Sequence, residues 1–214
     1  YKVATLSRGY KRKSQGFILA DATSNAEVLG DEPFQFYQKF DNIQVAVDAD
    51  RRNGIEQLLS QEPVPEVILL DDAFQHRKVK AGFYIILTSY GDFYCKDFML
   101  PTGNLRECRR GAKRANIIVV TKCPPRLSVE EQNQIKKSLK ISNNQELYFT
   151  TIVYDDWIYS KNQSLKVSEI RETKKLLVAG IAKPEPFFKF LKDKNDECLT
   201  FADHHRFTEK DILD

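Results

Sequence analysis

Two adjacent carboxylates and a nearby imidazole follow a short apolar run in the first half of the sequence. The run is Val-Ile-Leu-Leu at positions 67–70, and Asp71, Asp72 and His76 come soon after it. Consecutive apolar residues preceded by prolines are typical of a short, buried strand of a parallel sheet. Ligands bind outside the carboxyl ends of such strands, where nucleotide hydrolases hold Mg²⁺ with acidic residues. The pattern therefore indicates a metal and phosphate site, and its alternative is a plain Asp-Asp turn.

Other predicted strand ends carry residues suited to phosphate chemistry. Ser7 and Arg8 precede a glycine after the first strand, where an arginine can bind a phosphate through two hydrogen bonds. Asp31 follows a glycine at a predicted helix start, and it is either a helix cap or a base beside the other groups. His204 and His205 close a later strand. Because side chains alternate along an extended chain, we expect one of these two histidines to face a site.

The densest basic stretch lies between two predicted strands, at positions 106–114. It begins with Arg106 and Glu107 and continues with further lysines and arginines. A phosphorylated substrate or the anionic face of a membrane would suit such a stretch. The alternative is a solvated surface, because runs of charge are commonly exposed.

Length and composition indicate a globular chain. With 214 residues, 42% of them hydrophobic, the chain can form one large domain with a core. No apolar run reaches the ~18 residues that a membrane span needs. The four cysteines show no Cys-x-x-Cys spacing, which argues against zinc and for reduced thiols. A net charge of +3 is too small to imply a nucleic-acid partner.

Strands that alternate with helices must position the candidate residues. Strands are predicted at 3–6, 43–47, 67–70, 84–87, 117–120, 176–181 and 198–201, and helices at 33–40, 51–61 and 128–139. This alternation predicts an α/β fold, with a parallel sheet covered by helices on both faces. Ser128 and Glu131 form a capping box at the third helix. We expect two portions, residues 1–145 and 146–214, and a small hairpin at 148–159.

Six short motifs, in this order along the chain, resemble the tetraacyldisaccharide 4'-kinase family, the lipid A 4'-kinases of Gram-negative bacteria. They are Ser-Arg-Gly-Tyr at 7–10, Gly-Asp-Glu-Pro at 30–33, Asp-Asp-Ala-Phe-Gln-His at 71–76, Pro-x-Gly-x-Leu-Arg-Glu at 101–107, Val-Ala-Gly-Ile at 178–181 and Phe-Ala-Asp-His at 201–204. The resemblance implies a P-loop kinase fold, ATP and Mg²⁺ as cofactors, and phosphorylation of the 4'-hydroxyl of a tetraacyldisaccharide 1-phosphate lipid A precursor. It also implies a location at the cytoplasmic face of the bacterial inner membrane, with the membrane surface and no nucleic acid as partner.

The resemblance also implies a role for each matching residue. The catalytic base and its supporting partner would be Asp31 and His204. The carboxylates around Mg²⁺ would be Asp71, Asp72 and Glu107. Contacts to ATP phosphates would come from Ser7, Arg8 and Arg106, and contacts to the acceptor from Arg51, Gln75 and His76.

The sequence departs from the family pattern in one important respect. The 214 residues contain no Gly-rich phosphate loop ending in Gly-Lys-Ser or Gly-Lys-Thr, and no membrane helix, both of which the family places ahead of the first strand. We therefore expect a kinase fragment that is soluble and inactive by itself. Two alternatives stay open: a non-enzymatic module that binds nucleic acid or anionic lipid through 106–114, and another P-loop metabolite kinase.

Overall fold

The computed structural model describes residues 1–160 and 163–213. The chain divides into two compact units, unit 1 from Tyr1 to Ile152 and unit 2 from Val153 to Asp214. The division falls after Ile152 rather than after residue 145. The reason is that residues 146–149 form a strand that pairs with a strand of unit 1.

Unit 1 is an α/β structure whose strands and helices largely alternate. Its elements are β1 (Val3–Ser7), β2 (Ile18–Leu19), α1 (Ala26–Leu29), α2 (Asp31–Lys39), β3 (Ile43–Val47), α3 (Arg51–Leu59), β4 (Val67–Leu70), β5 (Ile85–Ser89), a 3-10 helix (Arg109–Arg114), β6 (Ile117–Thr121), α4 (Val129–Leu139) and β7 (Glu146–Phe149). The predicted strands at 43–47 and 67–70 are confirmed in position, and those predicted at 3–6, 84–87 and 117–120 lie within two residues of their predicted bounds. The expected burial of the strand at 67–70 is wrong for one of its faces: Ile68 and Leu70 pack on the core, whereas Val67 and Leu69 point the other way and are exposed.

Parallel pairing dominates unit 1, as predicted, but its hydrogen bonds form two sheets instead of one. The first sheet has the order β2-β3-β1-β4 and the second the order β5-β6-β7. In the first sheet Ser7 pairs with Val47 and Leu6 with Leu70, so β1, β3 and β4 end at the same edge. Strand β4 lies at one side of the first sheet, and β5 lies at one side of the second.

Helix α3 packs tightly on the first sheet. Leu58 forms a buried cluster with Ala4, Leu6 and Ala46. A Cβ atom on Gly54 would lie 2.8 Å from the methyl groups of Leu6, so any other residue there would displace the buried Leu6 side chain. The helix therefore holds its first turn firmly beside the ends of β1 and β3.

Replacing Leu58 by alanine should lower the free energy of unfolding of unit 1 by about 2–5 kcal/mol, because it leaves a cavity in this cluster. Leu58 is 0% exposed, whereas its neighbour Leu59 is 51% exposed. Leu59→Ala is therefore the matched control, with an expected change below about 1 kcal/mol. Urea unfolding of the two variants makes the comparison, and equal losses would contradict this description of the core.

The second sheet of unit 1 has its own core. Ile118 and Val120 of β6 pack with Ile135 and Leu139 of α4. The predicted capping box is confirmed, because Ser128 Oγ accepts from the backbone N–H of Glu131 at 3.2 Å and the Glu131 carboxylate accepts from the N–H of Ser128 at 3.0 Å.

Unit 2 is smaller, and its described residues form two short sheets. Its elements are β8 (Trp157–Tyr159), β9 (Ser164–Lys166), α5 (Val167–Arg171), β10 (Leu176–Ala179), α6 (Glu185–Leu191), β11 (Glu197–Thr200) and α7 (Glu209–Leu213). Strands β10 and β11 pair in parallel, as predicted, while β8 and β9 form an antiparallel hairpin. The hairpin predicted at 148–159 is thus wrong in position, because residues 146–149 pair with β6 and the hairpin spans 157–166, with positions 161–162 outside the described residues. In the parts of both units that the structure describes, no helix is long and apolar enough to cross a membrane.

Candidate functional site

The segments after β1 and before α2 are packed backbone against backbone. Gly9 and Gly30 both have positive φ angles, +69° and +93°. A Cβ on Gly30 would lie 3.1 Å from the carbonyl oxygen of Tyr10, and one on Gly9 would lie 2.8 Å from that of Leu29. The contact brings the Ser-Arg-Gly-Tyr segment next to the start of α2, where Asp31 is the exposed first residue of the helix.

Ser7 connects the end of β1 to the acidic end of β4. Its hydroxyl donates to Asp71 Oδ2 at 3.2 Å. Ser7 is itself buried, so the hydroxyl of this hydrogen bond is shielded from solvent. The parallel register of β1 and β4 creates the contact, since the residues are 64 positions apart in sequence.

Arg51 is a buried cation at the same edge. Its side chain lies in the first turn of α3 and the residue is 3% exposed. Nη1 donates to the carbonyl of Asp48 at 2.8 Å and Nη2 to that of Asp71 at 3.3 Å, while Nε finds no hydrogen-bond partner within the described structure. Burial, followed by the nearby charge of Arg8, lowers the pKa of Arg51 below its usual value, and neighbouring carboxylates, Asp71 first, oppose the shift.

Asp72 holds the loop that carries Arg106. The two side chains form a bidentate ion pair, in which Arg106 Nη1 donates to Asp72 Oδ2 at 3.0 Å and Nη2 donates to Oδ1. The hydrogen bonds to Asp72 raise the pKa of the guanidinium. Both side chains are exposed, so the pair contributes little to stability and can exchange partners when an anion or a cation arrives. Asp72 also has a φ of +42°, an uncommon conformation for a non-glycine residue.

Glu107 is held by a second arginine in the same region. Arg114 Nη2 donates to Glu107 Oε1 at 2.8 Å and to the carbonyl of Phe74 at 3.0 Å. The guanidinium centre also lies 4.6 Å from the centroid of the Phe74 ring. Arg114 therefore ties the segment after β4 to the 3-10 helix, and its importance was not apparent from the sequence, where it is one of several cations.

The acidic residues fit a magnesium ion in part. Within the described residues no group of three or more His, Cys, Asp or Glu side chains is placed to hold a metal. Mg²⁺ in phosphoryl-transfer sites is usually held by one or two carboxylates, water and the substrate phosphates. Asp71 and Asp72 follow β4 and supply two carboxylates of this kind. Arg106 binds both oxygens of Asp72 and Arg114 binds Glu107, so each of these two carboxylates would take up a metal only after exchanging its arginine partner.

Gln75 and His76 lie in the tight segment that follows β4. The N–H of His76 donates to the carbonyl of Ala73 at 2.8 Å, and Gln75 is exposed. His76 Nε2 is buried and, among the described residues, has no hydrogen-bond partner. An unsatisfied buried nitrogen is costly, so a ligand or water contact at this atom is expected.

Asp48 is a buried carboxylate that the sequence analysis did not select. Asp48 directly follows β3 and accepts from Asn53 Nδ2 at 2.6 Å and from the N–H of Asp50 at 2.9 Å. Asp50 in turn caps α3 by accepting from the N–H of Arg52 at 3.0 Å. The sequence contained a signal for Asp48, because it directly follows a predicted strand just as Asp71 does.

In unit 2 the two adjacent histidines have different surroundings. His205 stacks on Phe201 with ring centroids 4.5 Å apart, and its Nε2 lies 3.3 Å from Asp211 Oδ2. His204 has a φ of +58°, and its N–H donates to the carbonyl of Gly180 at 3.2 Å. Both rings have an acidic neighbour, since His204 Nε2 lies 3.9 Å from Asp203 Oδ2. The predicted partnership of His204 with Asp31 of unit 1 stays a prediction.

Comparisons with known proteins agree with these motifs. The family model for tetraacyldisaccharide-1-P 4'-kinase matches residues 1–214. A tetraacyldisaccharide 4'-kinase from Flavobacterium johnsoniae is 67% identical over 212 residues, 99% of this chain and 62% of that protein. The corresponding protein from Phocaeicola vulgatus is 46% identical over 99% of this chain and 60% of its own length.

The fold has a counterpart among solved structures. A crystal structure of LpxK from Aquifex aeolicus in complex with ATP is similar, with a TM-score of 0.75 and 28% sequence identity over 97% of this chain and 64% of that one. The predicted kinase-like α/β fold is thereby confirmed. The chain spans less than two thirds of the length of each of these relatives. From its whole-length match to the family model and its close relatives, the chain belongs to the tetraacyldisaccharide-1-P 4'-kinase family.

Proposed function

We propose that the protein transfers the γ-phosphate of ATP to the 4'-hydroxyl of a tetraacyldisaccharide 1-phosphate, a lipid A precursor. The observation that carries the proposal is the connection of separate motifs at one sheet edge. Ser7 contacts Asp71, and Arg106 pairs with Asp72. Phosphoryl transfer needs this combination, because carboxylates hold the metal and cations balance the charge of the phosphates.

The individual roles are those that the resemblance to the family implies for the matching residues. Asp31 accepts the proton of the acceptor hydroxyl, and His204 has a supporting role in that step. Ser7, Arg8 and Arg106 bind ATP phosphates, and Arg51, Gln75 and His76 bind the acceptor. Asp71 and Asp72, with Glu107, would hold Mg²⁺, which would neutralise charge on the phosphates.

The acceptor implies where the protein works. A tetraacylated disaccharide lies in a bilayer and ATP is cytoplasmic, so we place the protein at the cytoplasmic face of the inner membrane. Its partners there are the lipid acceptor and the membrane surface, and we propose no nucleic-acid partner.

The decisive experiment is Mg-ATP-dependent phosphorylation by the full-length protein. Radiolabelled phosphate should appear on the acylated disaccharide and not on a disaccharide without acyl chains. Equal labelling of the deacylated sugar would favour a metabolite kinase instead. Tight binding to arbitrary DNA with steep salt dependence, and no labelled product, would favour a nucleic-acid binding module.

A polypeptide of residues 1–214 alone should bind Mg-ATP more weakly than micromolar affinity. These residues contain the acidic groups but no Gly-x-x-x-x-Gly-Lys-Ser/Thr sequence, whose backbone N–H groups and lysine surround phosphates. Titration calorimetry measures the affinity, and a dissociation constant near 1 μM, which corresponds to about −8 kcal/mol, would contradict the prediction.

A further inference from the structure

Three consecutive large apolar side chains are exposed on the loop between β5 and the 3-10 helix. The exposed fractions are 62% for Phe98, 50% for Met99 and 61% for Leu100. Single exposed apolar residues are ordinary, but a contiguous exposed group marks an interaction surface. We call residues 98–100 the apolar tip.

The loop that carries the apolar tip is held in a fixed shape. The N–H of Leu100 donates to the carbonyl of Leu105 at 3.0 Å, and the N–H of Leu105 donates to that of Phe98 at 2.9 Å. The Asp97 carboxylate accepts from the N–H of Asn104 at 3.1 Å. Several backbone groups of the loop are therefore satisfied internally. That arrangement suits a segment that leaves water, where unpaired N–H and C=O groups are costly.

Cations accompany the apolar tip. The guanidinium of Arg109 lies 5.3 Å from the centroid of the Phe98 ring, and its Nε donates to the carbonyl of Asp97 at 2.9 Å. Arg110 and Lys113 follow in the 3-10 helix and are exposed. Apolar residues beside cations match the boundary between acyl chains and headgroups in an anionic bilayer.

We propose that the apolar tip inserts into the headgroup region of an anionic bilayer, with Arg109, Arg110 and Lys113 contacting lipid phosphates. The proposed lipid acceptor gives this contact its purpose, and to that extent the inference rests on the proposed function. The contact itself requires neither ATP nor phosphoryl transfer. A nucleic acid would use the cations but would leave Met99 and Leu100 in water, so the combination favours lipid.

Vesicle co-sedimentation of the full-length protein tests the apolar part. The triple variant Phe98→Ser, Met99→Ser, Leu100→Ser should bind vesicles containing phosphatidylglycerol at least roughly tenfold more weakly than the original protein. A matched triple variant carries serine at three exposed aliphatic positions elsewhere in unit 1, namely Leu59, Val64 and Val129. This control should change binding by less than about twofold, because scattered exposed residues need no partner.

Single charge reversals test the electrostatic part. Arg110→Glu should weaken binding to phosphatidylglycerol vesicles by roughly fivefold or more, and added salt should reduce the difference. Arg126→Glu, at another exposed arginine of unit 1, is the control and should have little effect. On phosphatidylcholine alone, Arg110→Glu should bind like the original protein. If the triple serine variant does not fold by circular dichroism, these single variants decide the matter.

Three results would overturn the inference. The first is unchanged vesicle binding by a folded triple serine variant. The second is a dimer of the original protein that the triple serine variant no longer forms in analytical ultracentrifugation, while vesicle binding is unchanged. That result would mean that the apolar tip binds a second copy of the chain. The third is equal binding of Arg110→Glu and the original protein at low salt. A failure to phosphorylate the lipid precursor would remove the proposed function but would leave the vesicle measurement unaffected.

Discussion

Replacing Asp31 by asparagine in the full-length protein should lower kcat by roughly 10²–10⁴-fold, the scale of general-base catalysis. The KM values for ATP and the acceptor should stay close to their original values, because Asp31 acts on a proton that moves in the transition state. Its position supports the role. Asp31 is exposed at the start of α2, and Gly9 and Gly30 hold that start against the segment that follows Ser7.

The adjacent residue supplies a matched control. Glu32 is a second exposed carboxylate in the first turn of α2, so Glu32→Gln changes the same charge near the same helix end. It should leave kcat within about twofold, since helix-dipole effects on stability are only about 0.3–1 kcal/mol. The competing interpretation of Asp31 as a helix cap is less suitable, because Gly30 occupies the capping position. A normal kcat for folded Asp31→Asn would leave the base unassigned.

A double variant tests the predicted partnership with His204. His204→Ala should also lower kcat. If the two side chains act as a unit, the double variant should be little slower than the slower single variant, because groups acting together are strongly non-additive. Fully multiplicative losses would show that they act separately. His205→Ala is the control, and it should act mainly on stability because His205 contacts Phe201 and Asp211.

Asp72→Asn should give the second large effect, a loss of roughly 10²–10³-fold in kcat/KM together with a higher magnesium requirement. The physical reason is that an amide is a much weaker ligand for a hard cation than a carboxylate. Steady-state kinetics over a range of magnesium concentrations measures both changes. Asp71→Asn should behave similarly, with the additional loss of the bond from Ser7.

Arg106→Gln separates the metal role of Asp72 from its ion pair. This variant removes the partner of Asp72 but keeps the carboxylate. If Asp72 serves only to hold Arg106, both variants should have the same activity and the same magnesium dependence. If Asp72 binds the metal, only Asp72→Asn should shift the magnesium dependence. Equal magnesium curves for both variants would therefore refute the metal assignment.

The sequence predicted best the features that depend on neighbouring residues. The capping box of Ser128 and Glu131 was predictable because both partners lie within one helical turn. Asp71 was predictable as a strand-end residue because four apolar residues precede it. Helix α2 was predictable from a glycine and an acidic pair, although it begins at Asp31, two residues before the predicted start at 33.

Features that depend on tertiary contacts were not predictable. The pair of Asp72 and Arg106 joins residues 34 positions apart and depends on how the 101–107 loop folds back. The hairpin predicted at 148–159 was wrong for a related reason, since residues 146–149 form β7 of the second sheet. The alternating pattern of these residues is typical of any strand. Their pairing with β6 depends on tertiary structure, which the local sequence does not specify. Arg114 was indistinguishable from its charged neighbours until Phe74 and Glu107 were placed around it.

The outer strands β4 and β5 have a consequence for any polypeptide limited to residues 1–214. Each is hydrogen-bonded to a neighbour on one side within the described structure, and each exposes apolar residues, among them Leu69 on β4 and Leu87 on β5. Such bare strands are templates for intermolecular pairing, which leads to aggregation. A polypeptide of residues 1–214 expressed by itself should therefore precipitate or form soluble aggregates as its concentration increases. Leu69→Lys or Leu87→Lys would place a charge on the exposed strand and so reduce the aggregation of this polypeptide.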